Sequence, residues 1–66
     1  MDPVEAVASV ICGTRSAIHA GPELRAWVAS GGFSPTCSQV RARLVERGYT
    51  RDVPDARLKR LGCVPG

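Results

Sequence analysis

The punctuation between Gly31 and Tyr49 constrains this chain more than any other feature, because it brackets one helix on both sides. Gly31-Gly32 closes whatever precedes it. Ser34 is one available cap, with Pro35 in the first turn, where a missing N–H has no intrahelical partner to lose. Thr36 with Gln39 is a competing capping box. Gly48 then stands where a helix C-terminus takes a left-handed residue. Within the brackets, Cys37, Val40, Leu44 and Val45 share one side of a helical wheel, whereas Thr36, Gln39, Arg43 and Arg47 share the other. One face is apolar; the other carries hydrogen-bonding and cationic groups.

The same punctuation parses the rest. Asp2 as N-cap and Pro3 in the first helical position predict a helix over residues 3–20. Val4, Val7, Ile11 and Ile18 form one stripe of that helix, and Ala6, Val10, Gly13 and Ala17 a second. Gly13 costs about 1 kcal/mol relative to Ala in a helix interior, which makes Gly13-Thr14 the weak point of a continuous helix. Gly21-Pro22 is expected to end this helix and begin the next, whose Leu24, Trp27 and Val28 form an apolar face before Ser30-Gly31-Gly32. Trp27 is expected in the core. After Tyr49 two readings stand. In one, Asp52 caps a short helix from Val53 or Pro54 to Leu61, with Leu58 and Leu61 inward and Gly62 ending it. In the other, residues 50–53 and 58–64 are strands around a Pro54-Asp55 turn. Residues 64–66 are expected to be a frayed end.

A chain of 66 residues makes one domain, 1–66, near the lower limit for a self-supporting core. With 44% hydrophobic and 5% aromatic residues, that core is built from Val, Leu, Ile and Ala, with Trp27, Phe33 and Tyr49 as anchors. No pocket that surrounds a small-molecule substrate is expected, and no cofactor. No apolar run approaches the roughly 20 residues of a transmembrane helix, and a secretory leader is not evident. The reading is an intracellular protein without membrane association. Its three cysteines, Cys12, Cys37 and Cys63, are then reduced thiols. Cys12, His19, Cys37 and Cys63 lack the close ligand pair of a zinc site, so no metal is expected. The chain has one histidine, no carboxylate dyad and no phosphate-binding glycine loop, which excludes the common catalytic sets.

Net charge is +3 with a pI near 9.1, favouring a polyanionic partner. Only Arg15 and Arg25 precede residue 40; Arg41, Arg43, Arg47, Arg51, Arg57, Lys59 and Arg60 follow it. The helix from Pro22, the Gly31-Gly32 turn and the helix from Pro35 have the proportions of a helix-turn-helix, in which the second helix enters the major groove. Residues 23–26, Phe33-Ser34-Pro35-Thr36 and Val40 to Tyr49 are similar to the reading region of helix-turn-helix and winged-helix regulators. Arg51-Asp52, Pro54-Asp55 and Arg57 to Arg60 resemble the basic wing of MarR-type repressors.

These features predict an all-α bundle of three to four short helices with a helix-turn-helix-like centre, or alternatively a winged helix with a C-terminal β-hairpin. The expected function is sequence-specific or general DNA binding, as a small transcriptional regulator or accessory factor and not an enzyme. Thr36, Ser38, Gln39 and Arg43 would contact base edges. Arg41, Arg47, Arg51, Arg57, Lys59 and Arg60 would contact phosphates. A homodimer or a larger complex would supply the specificity that one short helix lacks. The rival expectation is a helical protein-interaction module or adaptor, viral or phage in type, that presents Trp27, Phe33 or Leu58 to a partner without binding nucleic acid.

Overall fold

The computed structural model describes all residues, Met1–Gly66, as four helices: α1 (Pro3–Ile11), α2 (Ala17–Ala29), α3 (Cys37–Glu46) and α4 (Asp55–Arg60). The all-α expectation holds, and the C-terminal segment is a helix, not a β-hairpin wing. The only β pairing is an isolated bridge between Thr36 and Val64.

One device ends every helix. Gly13, Gly31, Gly48 and Gly62 are the only residues with positive φ, and each follows the C-cap of a helix. At the end of α1, Gly13 N–H donates to Val10 O and Thr14 N–H to Ser9 O, which satisfies carbonyls the helix has left over. The same pair of bonds recurs at Gly31-Gly32, Gly48-Tyr49 and Gly62-Cys63.

The first helix is therefore shorter than its stripe suggested. α1 stops at Ile11, and a new helix starts at Ala17, with the Ser16 hydroxyl accepting from Ile18 N–H at 3.2 Å. Gly21-Pro22 is not a boundary; Pro22 lies inside α2. It removes one N–H bond and crowds the Ile18 carbonyl. Ile18 is itself 80% exposed, so the break falls on the solvent side of α2.

The Thr36–Gln39 box, not Ser34, begins α3. Thr36 Oγ1 accepts from Gln39 N–H at 3.1 Å, and Gln39 Oε1 accepts from Thr36 N–H at 3.0 Å. Likewise Pro54, not Asp52, is the N-cap of α4, which has no side-chain cap bond.

Val4, Val7, Ala8 and Ile11 of α1 meet Leu24 of α2, Cys37, Val40 and Leu44 of α3, and Leu58 of α4 in one core. Val53 and Cys63 complete it, with Tyr49 and Leu61 packed at its edge. α1 packs on both α2 and α3, and α3 packs on α4. The scaffold helix is thus the hub.

Three expectations about side chains fail. Val45 is 75% exposed, because it lies too far around α3 from Leu44 to reach α1. Trp27 is half-buried outside the core, its indole N–H donating to Phe33 O at 2.9 Å and its ring meeting Phe33 edge-on. Phe33 is itself exposed and anchors nothing central. Residues 64–66 are not frayed: Val64 N–H donates to Pro35 O, Cys37 N–H to Val64 O, and Ser38 N–H to Gly66 O. The tail is pinned to the start of α3.

Candidate nucleic-acid interface

Every acid that pairs with α3 changes what that helix can offer. Arg43 Nη1 lies 2.6 Å from Glu5 Oε2 and 3.1 Å from Asp2 Oδ2, and its Nε lies 3.6 Å from Glu46 Oε2. Arg47 Nη1 lies 3.0 Å from Glu5 Oε1. On the other flank, Arg41 pairs with Asp55 of α4. The two arginines expected on the reading face thus bind carboxylates at the start of α1, Arg43 meeting Asp2 and Glu5 and Arg47 sharing Glu5, while Glu46 of α3 adds a third acid beside Arg43.

This cluster also has a structural job. Asp2 Oδ1 accepts from Val4 and Glu5 N–H, capping α1, while its other oxygen meets Arg43. The Glu5 N–H bond, together with Arg43, holds the Asp2 carboxyl below its ordinary range, against a smaller opposing effect of burial. Glu5 and Asp2 in turn raise the Arg43 guanidinium above its usual value. The Arg41 hydrogen bond likewise lowers the Asp55 carboxyl.

The remaining base-contact candidates are engaged locally. Thr36 and Gln39 cap α3, and the Ser38 hydroxyl donates to Gly66 O. These three line the start of α3, as the sequence suggested, while Arg43 turns toward α1.

The phosphate candidates divide differently. Arg51, Arg57, Lys59 and Arg60 have no acid within ion-pair distance. All four are exposed. Leu58 is fully buried and points α4 into the core, so helical geometry turns Ala56, Lys59 and Arg60 outward, with Arg57 beside them. Arg51 lies on the segment that leads into α4. Among the phosphate candidates, the unpaired cations therefore sit on α4 and its approach, not on α3. Sequence periodicity missed this division, because the acids that neutralise Arg43 and Arg47 lie on α1, far away in the chain.

No group of histidine, cysteine and acidic side chains is arranged to hold a metal ion. Cys37 and Cys63 are buried free thiols flanking the Thr36–Val64 bridge. Burial, with a smaller contribution from Cys37, pushes the Cys63 thiol up to about 11. That suppresses the reactive thiolate. His19 is exposed on α2. No helix is long and apolar enough to cross a membrane. No family model, curated protein or solved structure matches this chain.

Proposed function

We propose that this chain is a small DNA-binding protein, a regulator or accessory factor, that grips the phosphate backbone through Arg51, Arg57, Lys59 and Arg60. The observation that carries this reading is the contrast between the two ends of the basic segment. Arg41, Arg43 and Arg47 are held by acids, whereas the four cations around α4 have none. A phosphate approaching α3 would meet Asp2, Glu5 and Glu46; one approaching α4 would meet Arg57, Lys59 and Arg60, with Asp52 exposed on the approach and Asp55 at the helix start already paired to Arg41.

The chemistry favours general over sequence-specific binding. Phosphate contacts supply affinity and register without reading bases. Thr36, Ser38 and Gln39 are occupied by capping and tail bonds, so base contacts from α3 would have to displace them. Sequence preference would then come from a second copy or a partner.

The test is fluorescence anisotropy with a mixed-sequence duplex. Releasing counterions from about four phosphates predicts an affinity loss of about 100-fold between roughly 50 and 200 mM salt. Arg57→Ala and Arg60→Ala should each weaken binding and lower the salt slope by about 1. Undetectable binding at low salt, or binding indifferent to both substitutions, would refute the reading.

A further inference from the structure

An apolar cavity lies away from α3. It is an open groove of about 570 Å³ between α1, α2 and the end of α4. Val7 and Leu24 form its floor, and Val10, Val28 and Leu61 its apolar walls. Ala17 and Gly21 keep the α2 wall low, which lets another backbone approach closely. Arg25 and Arg60 are its only charged lining residues, and neither has an acid partner within the chain.

The geometry points to this groove as the docking site for an acidic amphipathic helix of a partner protein, whose apolar stripe fills the groove while its flanking carboxylates meet Arg25 and compete with DNA phosphate for Arg60 at the shared edge. Recognition of this kind reads anchors at i, i+3, i+4 and i+7 on the incoming helix. Charge selects the occupant. No acid lines the groove, and of the chain's six acids only Asp52 lacks an ion-pair partner. The carboxylates must therefore come from outside. A second copy seated face to face would bring the Arg25 and Arg60 pairs of both chains together with nothing to neutralise them. A small ligand would be poorly enclosed, since such sites bury about 70–90% of the ligand surface and this groove is open.

The test uses the full chain and four synthetic helix-forming peptides: leucines at i, i+3, i+4 and i+7 flanked by glutamates, the same with lysines, the same with glutamines, and a scrambled glutamate version. Binding is followed by amide chemical shifts. The glutamate-flanked peptide should bind best and move the resonances of Val10, Gly21, Val28 and Leu61. Arg25→Glu should weaken it about tenfold, the scale of one charge-assisted contact. Val28→Glu, at an exposed wall position, should weaken it comparably with the fold intact by circular dichroism. Equal binding of the lysine-flanked peptide, shifts centred on Trp27 and Phe33, or no binding would overturn the proposal. So would concentration-dependent dimerisation abolished by Val28→Glu, which would identify a second copy as the occupant.

Discussion

Arg43 of α3 is ion-paired to Glu5 of α1, Nη1 to Oε2 at 2.6 Å, and so ties α3 to the first turn of the hub helix. Asp2 and Glu46 extend the cluster, and Arg47 shares Glu5. A network of this kind holds helices in register more than it contributes free energy, because its members remain partly in water. Arg43→Ala and Glu5→Ala should each lower Tm, and the double variant should lower it by less than the sum of the two. The losses should shrink in high salt. Duplex affinity should change little in Arg43→Ala, in contrast with Arg57→Ala. The opposite ranking would return α3 to the interface.

The glycine helix ends predict a graded series. Gly13 has φ +78° and open space around a would-be Cβ, so Gly13→Ala should cost only the left-handed strain of an L-residue, about 1–2 kcal/mol. At Gly62, with φ +114°, an added Cβ would also fall 2.5 Å from Leu24 Cδ2. Gly62→Ala should therefore be clearly worse than Gly13→Ala in urea unfolding. Equal losses would mean that Leu24 moves aside freely.

That series marks where local chemistry was legible and where it was not. Asp2-Pro3, Gly31, Gly48 and Gly62 signal helix ends through properties of one or two adjacent residues, and the structure uses them so. Gly13 carried the same signal, but the apolar stripe on either side of it matched a continuous helix. Pro22 misled for the converse reason: its local penalty is overridden because α2 buries Ala20 and Leu24 on either side of it. The fate of Arg43 was not readable from α3 at all. It depends on Asp2 and Glu5, which approach only when α1 packs across α3.

Leu58 is the side chain on which the proposed DNA surface rests, since its complete burial is what turns the α4 cations outward. Leu58→Ala should cost about 2–5 kcal/mol. For a domain this small, whose core supplies about 3–5 kcal/mol, that is most of its stability. Circular dichroism should show a large unfolded fraction at 37 °C, and duplex binding should fall with it. A folded Leu58→Ala protein that still binds duplex at full strength would separate the cations from the helix that presents them.

Acid should loosen the protein through its capping and bridging carboxylates. Asp2 and Asp55 both have carboxyls held below their ordinary range, by backbone and Arg43 bonds in one case and by Arg41 in the other. A carboxylate of this kind adds stability above its unfolded-state pKa, and that stability is lost as pH falls through the lower folded value. Tm should therefore drop on acidification below about pH 4. Asp2→Asn keeps a capping oxygen but cannot titrate, so it should flatten part of that drop; Asp2→Ala should also cost about 1 kcal/mol at neutral pH.

At the alkaline end the sign reverses, and Cys63 controls it. Its thiol is pushed up to about 11 by burial and by Cys37, so the folded protein keeps it neutral where an unfolded chain has already lost the proton. The unfolded state is favoured increasingly as pH rises from the ordinary thiol range toward that value, and stability declines across the same interval. Cys63→Ala removes the titrating group and should flatten the alkaline slope of Tm, even if the smaller side chain lowers Tm at neutral pH. The same burial sets the order of chemical labelling. A thiol reagent at pH 8 should modify half-buried Cys12 first, with Cys37 and Cys63 reacting only as the protein unfolds. Rapid modification of all three thiols in the native protein would show that the contact between the C-terminal tail and α3 opens readily.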